Sequence, residues 1–274
     1  MQQTESMKKL KVIISGGGTG GHIFPALAIA KALEKKVDKV EFLFVGAEDR
    51  MEMEKIPAEG YKIVGLWISG LQRNFSRRNL LFPFKVVSSL LKARKTIKQF
   101  KPDLAIGTGG YASGPLLFAA ANNGVPSLIQ EQNSYPGITN KILAKYVQKV
   151  CVAYDNMERF FGNEKLIITG NPIREDILSF DTKVEEGRKL FGVDVSKPTV
   201  LVVGGSLGAR TINNAIAENI ADFETANVNL IWQTGISFQD QAKEITNKVG
   251  VDGIQAYTFI KDMDLAYAAA DVIV

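Results

Sequence analysis

A strand that runs into a glycine-rich turn and then a helix is the feature that most limits what this chain can fold into, and it occurs twice. Residues 10–31 read LKVIISGGGTGGHIFPALAIAK and residues 199–220 read TVLVVGGSLGARTINNAIAENI. In the first copy, residues 11–15 predict a buried strand and 16–21, five glycines and one threonine, a turn. Residues 22–37 are apolar at helical spacing through Ile23, Ala26, Leu27, Ala30 and Leu33, with Pro25 placed in the first helical turn. Such a junction makes an anion-sized hole, because the first N–H groups of a helix lack internal partners. It also carries the only histidine of the chain, His22. An imidazole at the positive end of a helix suits a base or a hydrogen bonder better than a cation.

Neither turn is a Walker A loop, since the Gly-Lys-Ser/Thr ending is missing. The first has dinucleotide-type glycine spacing, but no acid closes the strand EFLFVG at 41–46, and Glu48 and Asp49 come slightly later. A nicotinamide or flavin is therefore not expected. Between the two turns, strands and helices alternate. Strands are predicted at 61–66, 103–110, 125–131, 149–154 and 165–170, and helices at 48–55 (ended by Pro57), 82–100, 112–123 and 138–145. Short apolar strands without alternation belong to a parallel sheet covered on both faces. Residues 171–198 break the pattern and mark a crossing between a first domain, 1–170, and a second, 199–274. The second adds strands at 229–235 and 254–257, a helix at 263–270 and a last strand in ADVIV. The fold class is α/β, two Rossmann-like domains facing across a cleft that clamps a ligand, the second incomplete because it is small and stops at a strand without a covering helix.

Composition narrows the chemistry. With 274 residues, 46% hydrophobic, and a net charge of +4, the chain is globular and only mildly basic. The single cysteine, Cys151, lies in an apolar run and reads as a small buried hydrophobe, so no intrachain disulfide and no structural zinc are expected. Residues 1–9 are polar and form neither a signal peptide nor a membrane span.

Six segments, GGGTGGHIFPALAIA, GTGGYASGP, QEQNSYPGITNK, TGNPIR, VVGGSLGAR with its following IN, and FIKDMDLAYAAADVIV, together resemble the MurG family of peptidoglycan glycosyltransferases. The resemblance runs from residue 15 to the end and implies a two-domain GT-B enzyme. Its implied reaction is inverting transfer of N-acetylglucosamine from UDP-GlcNAc to the C4 hydroxyl of MurNAc in undecaprenyl-pyrophosphoryl-MurNAc-pentapeptide. No cofactor or metal beyond the UDP-GlcNAc donor is implied, a glycine and arginine clamp doing the neutralising; cell-wall synthesis proteins are implied as further partners. One local departure is Gln130, where the family usually has histidine before Glu-Gln-Asn. The family's next blocks, which hold the donor's phosphate, ribose and sugar, would follow Val274. The sequence thus reads as a fragment expected neither to transfer the sugar nor to bind the donor with full affinity.

Sugar transfer needs a stabilised leaving pyrophosphate and a deprotonated acceptor hydroxyl. Gly204, Gly205, Ser206, Leu207 and Gly208 open the second helix, where amides and the Ser206 hydroxyl can bind phosphate. Arg210 or Arg174 can add a cation, and the resemblance favours Arg174. It also assigns Asn213 to the donor and the backbone at Phe259 and Ile260 to the uracil edge. On the acceptor side it matches Thr19, Gly20, Gly21 and His22 to the loop facing the lipid-linked pyrophosphate, with His22 either base or positioning group. Glu131, at a strand end, is placed as a second catalytic group that orients the acceptor or takes its proton; Asn133 and Tyr111 are placed on the acceptor.

Nine basic residues fall between Arg73 and Lys101 with no acid among them: Arg73, Arg77, Arg78, Lys85, Lys92, Arg94, Lys95, Lys98 and Lys101. Phe75, Leu80, Leu81, Phe82, Phe84 and Val87 are interleaved with the first of these. An apolar patch edged by Lys and Arg suits an anionic membrane surface, and no nucleic-acid module is recognisable. The expected place is peripheral, on the cytoplasmic side of the inner membrane. Rival readings are a transferase acting on another lipid and a nucleotide-sugar-binding remnant without turnover.

Overall fold

The computed structural model describes residues 9–70, 81–174, 180–205 and 207–274. Of the expected functional positions, Arg73, Phe75, Arg77, Arg78, Leu80 and Ser206 lie outside them. The chain divides into two compact units, Met1–Arg174 and Glu175–Val274.

In the first unit the strands are β1 (Leu10–Gly16), β2 (Val40–Ala47), β3 (Ile63–Leu66), β4 (Leu104–Gly109), β5 (Ser127–Glu131), β6 (Lys149–Val152) and β7 (Leu166–Ile168). They form one parallel sheet in the order β3-β2-β1-β4-β5-β6-β7. The helices are α1 (Gly20–Lys36), α2 (Glu52–Ala58), α3 (Phe82–Phe100), α4 (Ser113–Asn122), α5 (Ile138–Leu143) and α6 (Glu158–Phe161). The unbroken apolar strands feed two cores. On β1, Val12 and Ile14 pack with Ile23, Ala26 and Phe44, whereas Ile13 joins Leu66, Ile97, Leu116 and Ile129. Full burial of each such side chain stabilises the unit by about 1.5–3 kcal/mol.

The second unit pairs β8 (Thr199–Val203), β9 (Asn229–Gln233), β10 (Ile254–Tyr257) and β11 (Val272–Ile273) in the order β10-β9-β8-β11, again all parallel. Leu201 and Ile231 face Phe191, Ala266 and Ala269; Val202, Leu230 and Trp232 face Phe238 and Ala242. Alternate strand residues thus serve opposite cores here too.

Two prolines depart from expectation. The first helix starts at Gly20, so Pro25 lies in its second turn, and the predicted 48–55 helix begins at Glu52 and contains Pro57 near its end. Gln239–Val249 is a further helix, mostly polar, whose apolar Ala242, Ile245 and Val249 fall at helical spacing, with Ala242 buried and Val249 packed on the core. Cys151 is only partly buried, in register with Gln130, and burial pushes its thiol pKa up. Among the described residues no helix is long and apolar enough to cross a membrane.

Candidate active site

The chain leaves β1 outward through β2 and β3 and returns through α3 to β4 on the other flank of β1. At this switch point connecting segments diverge and leave a crevice at the strands' carboxyl ends. Gly16 and Gly109 meet there, where the β1–β4 register shifts. A cavity of about 460 Å³ opens above them, and its lining includes Thr19, His22, Arg50, Tyr111, Glu131 and Asn133. Thr19 is extended and caps α1 (φ −146°, ψ 159°); Gly20 and Gly21 form the first helical turn and deliver His22.

Three contacts hold His22. Its carbonyl accepts the Thr108 hydroxyl at 2.7 Å, and its Nδ1 lies 2.9 Å from the Thr108 carbonyl and 3.1 Å from Gln132 Oε1. The ring lies so close to Gly109 (φ +106°) that a Cβ there would sit 2.6 Å from Nδ1. Gly109 is therefore required both by its backbone conformation and by the imidazole.

Glu131 does not fit the catalytic role expected of it. It is 1% exposed, and four donors converge on its carboxylate: the Asn133 N–H and Nδ2, and the Gly137 N–H and Asn140 Nδ2, at 2.9–3.1 Å. With two donors on each oxygen, the carboxylate is bound up in shaping the 131–140 loop. Asn133 is exposed at the cavity edge, with its amide nitrogen held by Glu131. Tyr111 is 47% exposed and packs on Gly70, where a Cβ would come within 2.3 Å of its ring. It borders the polar cavity and also an apolar one of about 350 Å³ lined by Phe82, Val86, Leu90, Phe118 and Ile142.

Periodicity gave no sign of Glu52. Fully buried, it accepts the Ala47 and Gly18 N–H groups, each at 2.9 Å, and so pins the glycine turn to the end of β2. The signal available was an acid just beyond the second strand. Arg50, exposed in the same segment, brings a cation to the cavity. Arg174 is half-buried, its guanidinium 5.8 Å from the Phe24 ring centroid on α1.

In the second unit, residues 204–209 join β8 to the helix Arg210–Glu218. Gly208 has φ +88°, and a Cβ there would lie 2.4 Å from the Thr234 carbonyl. Asn213, expected to touch a ligand, is instead fully buried: its Nδ2 donates to the Thr234 carbonyl at 2.8 Å and its Oδ1 accepts Trp232 Nε1 at 3.0 Å. Ile260 is buried, and its N–H donates to Gln233 Oε1 at 2.9 Å. That N–H therefore already has a partner, whereas Phe259 and Leu207 are exposed. Gly204 and Gly205 start the turn, and the Ser237 hydroxyl steadies it on the Leu207 carbonyl at 2.8 Å.

Residues 12–152 match the glycosyltransferase family 28 N-terminal domain, and residues 199–274 match the family 28 C-terminal domain. A Christiangramia forsetii protein named UDP-N-acetylglucosamine–N-acetylmuramyl-(pentapeptide) pyrophosphoryl-undecaprenol N-acetylglucosamine transferase is 54% identical over 265 residues, 97% of this chain and 71% of the relative. The Parabacteroides distasonis protein of the same name is 53% identical over 98% of this chain and 73% of its own length. The crystal structure of Acinetobacter baumannii MurG superposes with a TM-score of 0.68 at 31% identity, covering 96% of this chain and 72% of that one. With both domains matched in order and relatives above half identity along nearly its whole length, this chain belongs to the MurG family of glycosyltransferases, within family 28.

Proposed function

We propose that the enzyme carrying this sequence transfers N-acetylglucosamine from UDP-GlcNAc, with inversion, to the C4 hydroxyl of MurNAc in undecaprenyl-pyrophosphoryl-MurNAc-pentapeptide. The observation that carries the chemistry is His22. Because Nδ1 faces a carbonyl, which can only accept, Nδ1 bears the proton and Nε2 carries the lone pair. Nε2 takes the proton of the acceptor hydroxyl as its oxygen bonds to the sugar's anomeric carbon. The bond from that carbon to the diphosphate breaks on the opposite face, and UDP leaves with the electron pair.

The second unit takes the donor. The diphosphate is met by the N–H groups of Gly205 and Leu207, the start of the helix Arg210–Glu218, and Ser206, while the Gly204 and Gly208 N–H groups hold the turn by donating to the Gln233 and Gly205 carbonyls. Asn213 acts there by holding the turn, and Gln233 by holding the Ile260 segment that reads the base. Arg174 contributes charge to the leaving group. In the first unit, Thr19, Tyr111 and Asn133, which line the cavity, seat the acceptor with Arg50 added to them, while Gly20 and Gly21 present the start of α1 and Glu131 shapes the loop. The two units are in this reading an acceptor domain and a donor domain. Replacing His22 with Ala is expected to lower kcat by about 10²–10⁴-fold. Donor affinity measured by calorimetry should stay within twofold; unchanged turnover would remove His22 from the mechanism.

The acceptor's lipid places the chain at the cytoplasmic face of the inner membrane as a peripheral protein. Leu81, Phe84, Val87 and Leu91 project from α3 and its start, beside exposed Arg94, Lys95 and Lys98. Each basic residue near anionic lipid adds about 1 kcal/mol. Part of the charge is already paired, because Lys92 bonds Glu48 at 2.9 Å. The double variant Phe84→Ser, Leu91→Ser should sediment less with anionic liposomes while keeping activity on a short-chain soluble acceptor. Equal sedimentation would sink the membrane assignment.

A further inference from the structure

We propose that Gln132 is a positioning residue for His22: it holds the imidazole as the Nδ1–H tautomer and aims Nε2 into the cavity. The catalytic value of this arrangement rests on the function proposed above, but the arrangement itself can be measured without substrate.

Main-chain carbonyls, which offer no proton, decide both orientations. The Gln132 Nε2 lies 2.9 Å from the Thr108 carbonyl and 3.2 Å from the Gln130 carbonyl, so this end of the amide must be the NH2. Its Oε1 is thereby turned toward His22 Nδ1, 3.1 Å away. The Thr108 carbonyl makes the same demand on the ring from 2.9 Å. With the other tautomer, the Nδ1 lone pair would face two oxygens at hydrogen-bond distance. With a flipped amide, Oε1 would face two carbonyls. Each error leaves like poles opposed in a partly buried setting, so the two orientations enforce one another.

Gln132 is itself braced. Its Nε2 also bonds Gln130 Oε1, and Gln130 Nε2 donates to the Glu131 carbonyl at 3.3 Å and to Asn171 Oδ1 at 3.4 Å. Gln130 is 2% exposed. A run of neutral amides thus extends from Asn171 to the imidazole. It fixes direction without placing a negative charge against the ring, as a carboxylate in the same position would. Other titratable or charged groups lining the cavity are Arg50, Tyr111, Glu131 and Tyr135, and Glu52 lies beneath Gly17 and Gly18.

His22 is the only histidine, so a sample labelled with ¹⁵N-histidine reports this ring alone. Long-range ¹H–¹⁵N correlation of the parent above pH 8 should show a protonated Nδ1 and a bare Nε2. In Gln132→Leu the tautomer ratio should move toward Nε2–H, with kcat falling about tenfold and KM little changed. In Gln132→Glu, which is nearly isosteric and covers the case in which Leu disturbs folding, the new carboxylate should hold the imidazolium to higher pH. The His22 titration midpoint and the acidic limb of the kcat profile should then rise together by about one pH unit. A parent in the Nε2–H form, or a Gln132→Glu midpoint equal to the parent's, would overturn the proposal. A correct tautomer that responds to Gln132 in a chain without transferase activity would instead overturn the proposed function.

Discussion

The two units brace their glycine-rich turns with different chemistry. Behind the first turn stand carboxylates: Glu52 under Gly18 and Glu131 under the neighbouring loop are the charged side chains that are buried among the described residues. Behind the second stand carboxamides: Asn213 ties the helix to Thr234, and Gln233 holds Ile260. The geometric task is the same, but the electrostatic result is not. Glu52 takes up the Gly18 N–H from beneath, so the first turn offers an arriving anion one amide fewer. A neutral amide leaves the helix start free to favour an anion. Glycine content alone does not make a phosphate loop; what lies beneath it decides. By this criterion the second turn suits the donor's diphosphate. The first suits a site whose main event is a proton transfer.

The largest expected effect tests whether Glu131 is a brace. Glu131→Ala orphans four donors, and hydrogen bonds to charged groups are each worth about 1.5–3 kcal/mol but do not add simply. A loss of at least about 3 kcal/mol is expected, lowering the first unit's melting temperature by about 6–12 °C. A variant that melts like the parent yet loses turnover would return Glu131 to the reacting groups and erase half of the contrast. A smaller effect sharpens the other half. Asn213→Asp puts a charge beneath the second turn and should weaken UDP-GlcNAc binding about tenfold more than Asn213→Ala, a difference of about 1.4 kcal/mol. The mirror change, Glu52→Gln, should leave donor affinity within twofold. Equal affinities for the two Asn213 variants would mean that the charge behind a glycine turn does not govern what binds in front of it.

Much of the architecture was legible because each strand and helix carries a local signal. Residues 82–100 form α3 as expected, since an apolar face and a first-turn proline both lie within the segment, and a left-handed Lys101 ends it. The parallel sheet followed from strands with no polar alternate, which supply two cores at once. The site was legible as a set of positions and much less as a set of roles. His22 and its neighbours do line one cavity. But Glu131 looked like a catalytic acid at a strand end because its four donors include Gly137 and Asn140, which no spacing rule connects to it. Glu52 is equally silent in the sequence, because its partner Gly18 lies 34 positions away. Asn213, expected to touch the donor, is instead buried, because Trp232 on β9 and Thr234 just after it reach its amide. Roles assigned by partners distant in sequence are invisible to periodicity.

The switch point between β1 and β4 has a consequence in time. His22 meets Thr108 and Gln132 across 86 and 110 positions of chain. At a synthesis rate of about 5–20 residues per second, roughly 5–20 s separate the addition of the imidazole from that of the amide that orients it. Meanwhile β1 can pair with β2 but still lacks β4, so the ring has neither of its acceptors. Parallel pairing across such a span is intrinsically slow. The reactive imidazole is thus among the last features of the first unit to be completed, although its residue is among the first to be made.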